Sequence, residues 1–178
     1  MARKNLLKGS RAYLSGPIEH TEYRKDHGQE WKSDVTKVLK NFGVKVFDPT
    51  SAIGREHEQF RKQIKKVKEQ CDYETLRTKM KKIVREDLRA VDLSDFVIVH
   101  YPKGCTTTGT NHEVFEADRS FKPVLVCCPQ GINGLPDWYY GILPLRYMFD
   151  SWAKLHSYLE KVNKGLIEDD RWQFIKFS

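Results

Sequence analysis

Two carboxylates stand out for where they fall. Glu113 lies in the stretch GTNHEVFEA, Gly109 to Ala117, which follows an apolar run, FVIVHYP, and a threonine-rich loop. Asp87 lies in a helical pattern whose Leu76, Met80, Ile83, Val84, Leu88 and Val91 form one apolar stripe. At about 100° per residue, Asp87 falls near the middle of that stripe, while Glu86 and Arg89 fall outside it. An unpaired buried charge is costly, so such a carboxyl must be paired, neutral or at a cleft. Burial raises its pKa, which suits a general acid. The same position also suits an aspartate that caps a nearby loop. Glu113 has a plain reading as well. Thr110-Asn111-His112-Glu113 fits a capping box, in which threonine and glutamate bond each other's backbone N–H groups at a helix start, and a carboxylate there complements the helix dipole. From the residues alone, the catalytic and structural readings both stand.

The elements that must hold these groups alternate along the chain. RAYLSG reads as a first strand ended by Gly16-Pro17. KDHGQEWKSDVTKVLKNFG reads as a helix, with Trp31, Val35, Val38, Leu39 and Phe42 at helical spacing and Gly43 as its stop. VKVFDP is a second strand closed by Asp48-Pro49. DFVIVHYP is a third, apolar throughout, as expected of a strand covered on both faces. NHEVFEADRSF is a helix and KPVLVCCP a fourth strand. Residues 150–163 form another helix, with Trp152, Leu155, Leu159 and Val162 on one side. The closing WQFIKF alternates like a last strand. An insertion over residues 55–93 reads as two charged helices, the first carrying Phe60, Ile64, Val67 and Cys71 at steps of four, three and four.

This order predicts an α/β fold, a parallel sheet of about five strands with helices on both faces and the charged helical insertion. Ligands of such sheets bind beyond the carboxyl ends of the strands. Those ends carry SGPIEH, DPTSAIG, HYPKGCTTTGT and CPQGINGLPDWYYG. Ser15 is there either to meet polar groups of a ligand or simply to end a strand, and Asp48 either to meet a ligand or to make a turn. Asp95, before the third strand, and Asp92 read more readily as turn or capping residues than as catalysts. His112 reads as a first-turn surface residue. Trp138, Tyr139 and Tyr140 could stack on a base or form a subunit contact.

Length and composition set the outer bounds. The 178 residues suit one domain, 39% hydrophobic and 31% charged, normal for a soluble globular chain. No apolar run reaches transmembrane length and MARKNLLKGS is no signal peptide, so a cytoplasmic protein without membrane partners is expected. Cys71, Cys105, Cys127 and Cys128 match no zinc spacing and read as free thiols. Cys127 and Cys128 should face opposite sides of their strand. The net charge of +7 is uneven, since residues 55–85 hold eleven Lys/Arg against five Asp/Glu. That basic segment suits an anionic partner or a solvated helix face.

The segment EDLRAVDLSDFVIVHYPKGCTTTGTNHEVFEA, with AYLSGPIEH and VFDP before it, resembles the nucleoside 2-deoxyribosyltransferase family, including its 2′-deoxynucleoside 5′-monophosphate N-glycosidase relatives. The resemblance runs from Tyr13 to about Val126. It implies a flavodoxin-like (Rossmann-like) domain spanning residues 1–178 that works on the N-glycosidic bond of nucleosides or nucleotides. It implies Glu113 as nucleophile, Asp87 as general acid at the nucleobase and Tyr13 beside the nucleophile. Ser15, Gly16, Pro17, Asp48, Asp95, Gly109 and Thr110 are the substrate-binding candidates, Gly16 for letting the first loop approach the ligand closely. It further implies a homo-oligomer, with no cofactor or metal. The logic is that of retaining glycosidases: one carboxylate traps C1′ covalently while an acid protonates the leaving nitrogen. One departure stands out, since SGPIEH places Glu19 where the monophosphate glycosidases carry a serine- and arginine-containing phosphate loop. Two rivals are a non-catalytic nucleotide sensor on the same fold and a nucleic-acid binder using the basic 55–85 helices.

Overall fold

The computed structural model describes residues 5–17, 30–49, 54–105 and 107–176. Strands β1 (Arg11–Ser15), β2 (Lys45–Phe47), β3 (Phe96–His100), β4 (Val124–Cys127) and β5 (Met148–Phe149) form one sheet in the order β2-β1-β3-β4-β5. Every pairing is parallel. Helices α1 (Glu30–Asn41), α2 (Gly54–Glu69), α3 (Tyr73–Leu93), α4 (Thr108–Arg119), α5 (Asp137–Ile142) and α6 (Trp152–Asn163) connect them.

The sheet splits the core in two, because successive residues of a strand face opposite sides. Ala12, Leu14, Phe96 and Ile98 pack with Trp31, Val35 and Leu39 of α1 and with Leu155, Leu159 and Val162 of α6. Tyr13, Val97 and Val99 pack with Val91 of α3 and with Val114 and Ala117 of α4. Cys127 and Cys128 fall in opposite layers, as the alternation required. Gly43, at φ 73, takes the left-handed turn that ends α1, its N–H bonded to Lys40 O at 2.9 Å.

Three expectations change. The described residues of the expected WQFIKF strand, 172–176, are instead part of a 3-10 segment, Asp170–Lys176. Trp172 is buried there against Phe96 at 5.2 Å and donates its indole N–H to Tyr158 Oη at 3.0 Å. The fifth strand is the two-residue β5, too short to show as an alternating pattern. Cys71 lies past the end of α2, exposed, at φ 56 in the turn to α3. The stripe of α3 is only lightly covered, with Val91 its one buried residue and Val84 40% exposed. Among the described residues no helix is long and apolar enough to cross a membrane. Glu19 and residues 50–53 lie outside the described residues.

Candidate active site

β1 ends with two hydroxyls on one face. Tyr13 and Ser15 are two residues apart, so both point toward the layer where α4 packs. α4 turns Thr110, Glu113, Val114 and Ala117 inward, the three-to-four spacing of a helix face. Glu113 is thereby pressed against β1. Tyr13 Oη donates to Glu113 Oε1 at 2.9 Å, and Ser15 Oγ donates to Oε2. Each carboxylate oxygen has one donor and keeps a further lone pair. Glu113 is 6% exposed, Ser15 1% and Tyr13 not at all.

This geometry replaces the capping-box reading. The N-cap of α4 is Thr107, whose side chain accepts from Thr110 N at 3.2 Å. The helix therefore starts before Thr110, and Glu113 sits in its second turn, out of reach of the helix's own first N–H groups. Its carboxylate is spent on β1. Thr110 is buried on the same face, while Gly109 is exposed in the first turn with open space around it.

Asp87 is half-buried on α3 and electrostatically close to this group. Burial pushes Glu113 up to about 7; the Ser15 and Tyr13 hydroxyls pull it back, and the Asp87 charge raises it further. Burial pushes Asp87 up to about 6, with Glu86 adding to the rise and Lys32 opposing it. Burial, then the Glu113 and Asp87 charges, raise Tyr13 well above an ordinary phenol, so it remains a donor at neutral pH.

The other candidates divide. Gly16 does permit a close approach, but to protein: a Cβ there would lie 3.2 Å from the Trp31 ring and 3.5 Å from His100 Cβ. Pro17 follows at the rim, partly buried. Asp48, at the end of β2, pairs with Lys32 Nζ at 2.7 Å. Asp95 is a correction. It stands at the amino end of β3, where it accepts the Arg11 N–H at 2.7 Å and pairs with the Arg11 guanidinium at 3.3 Å. The register Ala12↔Phe96 puts it at the opposite end of the sheet from Ser15 and Glu113. His112 is half-exposed, 3.9 Å from Glu116. Of the three aromatics, Tyr139 is fully buried and donates to Asn111 Oδ1 at 2.8 Å, Tyr140 donates to Ile132 O, and Trp138 is 71% exposed.

Lys32 was not among the expected residues. The signal was present: Lys32, Val35 and Leu39 share one helical face, so the lysine falls on an apolar stripe as Asp87 does. Among the described residues, no group of three or more His, Cys, Asp or Glu is placed to hold a metal ion.

The site lies where β1 and β3 adjoin at their carboxyl ends. In the order 2-1-3-4-5 this is the point at which the connections diverge to opposite sides, opening a crevice. No protein-family model and no curated protein matches the chain. Solved structures do. A 2-deoxyribosyltransferase of Bacillus psychrosaccharolyticus aligns over 84% of this chain and 92% of its own, at 19% identity and a TM-score of 0.55. A 2-desoxiribosyltransferase of Leishmania mexicana aligns over 85% of this chain and 97% of its own, at 17% identity and a TM-score of 0.51. At these identities the likeness is one of fold.

Proposed function

We propose that the chain is a nucleoside 2-deoxyribosyltransferase-like enzyme, one domain over residues 1–178, that cleaves or exchanges the N-glycosidic bond of 2′-deoxynucleosides or their 5′-monophosphates. The observation that carries this is Glu113, a buried carboxylate gripped by Tyr13 and Ser15 at the strand ends, with a second carboxyl, Asp87, beside it. The shared fold with two 2-deoxyribosyltransferases supports the same reading.

In the first step a Glu113 oxygen attacks C1′ as the C1′–N bond breaks. The bonding pair leaves with the base nitrogen, and Asp87 supplies the proton that makes the base a neutral leaving group. In the second step a nitrogen of another base, or a water oxygen, attacks C1′ and releases the Glu113 carboxylate. Asp87 takes the acceptor's proton, so the enzyme returns to its starting state. Burial brings both carboxyls toward neutral pH, so a fraction of the molecules hold a proton between them there. A base seated over Asp87 strips its remaining water and drives it further toward the acid form. The Tyr13 and Ser15 hydroxyls favour the anion at Glu113. In the free protein Glu113, at about 7, holds a proton more tightly than Asp87, at about 6, so these roles require the bound base to raise Asp87 above Glu113; the steps balance without a cofactor. Gly16, Pro17, Asp48, Gly109 and Thr110 border the strand-end region and remain the proposed substrate-contacting residues. We place the enzyme in the cytoplasm, as a homo-oligomer.

The test is a panel of deoxynucleosides, ribonucleosides and their 5′-monophosphates, with and without a second base, read by chromatography for free or exchanged base. Release or exchange from a deoxynucleoside or its monophosphate is expected. A folded protein that turns over no member of the panel contradicts the proposal.

A further inference from the structure

A lysine side chain that is 9% exposed needs a reason to be where it is. Lys32 lies near the start of α1 with its ammonium 2.7 Å from Asp48 Oδ1. The register Tyr13↔Phe47 puts Asp48 one residue beyond the level of Tyr13, at the strand ends beside the Glu113 cluster. α1 packs on one face of the sheet and α4 on the other, yet the Lys32 charge acts on groups from both layers. Among the described residues, the charges that act on it are Asp48 at the end of β2, Glu113 of α4 and Asp87 of α3. His100 of β3 stands beside the neighbouring Trp31, ring centroids 5.2 Å apart.

We infer that Lys32, held by Asp48, is a positioning residue: its buried ammonium is a fixed positive charge at the strand ends that offsets the repulsion between the Glu113 and Asp87 carboxylates. The inference rests on reading Glu113 as the nucleophile. Two neighbouring carboxyls repel when both are charged, and a buried cation offsets that repulsion without touching substrate. The directions agree, since Lys32 draws down both Glu113 and Asp87. Burial lowers Lys32 itself, while Asp48, foremost among the acidic groups, pulls it back toward the charged form. Asp48 is thus the acidic group that most favours the charged form of the lysine among the described residues. A plain structural tie between α1 and β2 predicts something different: an uncharged pair of similar volume would serve as well and would leave the carboxyls' titration where it was.

The deciding variants are the double exchange Lys32→Met with Asp48→Asn, which removes both charges together, and Lys32→Gln, which keeps a donor toward Asp48. Two readouts are taken on each. One is the pH profile of kcat/KM for base release. The other, independent of activity, is the NMR titration of the Glu113 side-chain carboxyl in protein labelled at glutamate. Loss of the cation disfavours the carboxylate forms, so the Glu113 midpoint and both limbs of the profile are expected to move up by about 1 pH unit. Lys32→Arg should return them to the wild-type positions. A Glu113 midpoint unchanged in a folded, uncharged variant overturns the inference. Absence of base release from the wild-type protein would instead overturn the enzyme reading, and the carboxyl titration would still decide the role of Lys32.

Discussion

At the scale of single residues, Glu113 is held where its charge costs free energy. It is 6% exposed, and burial raises it from 4.5 to about 7. A raised carboxyl penalises the folded state only where it is ionised. The penalty is absent below the unfolded pKa, grows as pH rises past it, and is complete above about 7. Glu113→Gln should therefore stabilise the fold at pH 8 by on the order of 3 kcal/mol relative to its effect at pH 4. Thermal unfolding of both proteins at the two pH values checks this, and the sequence of stabilisation with lost activity is the trade expected of a functional group. Asp87 should show its role through the leaving group. Asp87→Asn is expected to lose about 10²–10⁴-fold in kcat on ordinary bases, and much less on a base that departs readily without protonation. Equal losses on both would argue against an acid at Asp87. Both carboxylates were legible in the sequence, for different reasons. Asp87 showed itself by lying on an apolar stripe. Glu113 was visible but open to a capping reading, because where α4 begins depends on which threonine of a TTTGT run takes the cap. Lys32 obeyed the rule that exposed Asp87 and was passed over, since a lysine among polar helix residues resembles a solvated one.

At the scale of elements, α3 carries Asp87 and must be anchored to carry it accurately. Its carboxyl end is closed by a side chain from outside the helix: Lys122 Nζ donates to Val91 O, Asp92 O and Ser94 O at 2.6, 2.6 and 2.8 Å. The cation adds to the Ser94 N–H that already bonds Val91 O at 3.1 Å, and the helix dipole favours a positive charge there. Lys122→Met should lower stability by roughly 1–3 kcal/mol in chemical denaturation and reduce base release by displacing Asp87. β1 is positioned from its other face. Gly16→Ala pushes a methyl to 3.2 Å from the Trp31 ring, so α1 must give by a few tenths of an ångström. β3 and β4 were readable as unbroken apolar runs, and α1 because its helical period repeats over about three turns. β5 has two residues and no period to show. WQFIKF has an alternating pattern that a buried 3-10 segment can carry as well, and the packing of Trp172 decides between them.

At the scale of the molecule, strand order does what local pattern cannot reveal. Alternating strands and helices imply a parallel sheet, but which strands adjoin is settled by long-range packing. The order β2-β1-β3-β4-β5 is what brings Tyr13 and Ser15 of β1 to the residue that follows β3 by a loop, Glu113. Asp95 stands at the far end of the sheet, a placement that its position just before β3 already implied, since ligands of parallel sheets bind at the carboxyl ends. The α3 helix packs into this arrangement through Val91 and leaves part of its apolar face open. On one face of α3, Val84 is 40% exposed and Tyr73 63%. An apolar helix face left this open fits the proposed homo-oligomer, with a second copy of the chain covering it. Sedimentation velocity should show an assembly larger than a monomer, and Val84→Asp should shift it toward monomer; a wild-type monomer at all concentrations would remove the oligomer from the account.

The central claim is that Glu113 forms the bond to C1′. The rate of base release by Glu113→Ala, against wild type on the best substrate of the panel, tests it most directly. The account predicts a loss of about a thousand-fold or more, with the fold intact. A variant that releases base within about tenfold of wild type would contradict it, because a nucleophile that can be deleted at so small a cost is not the group that carries the sugar.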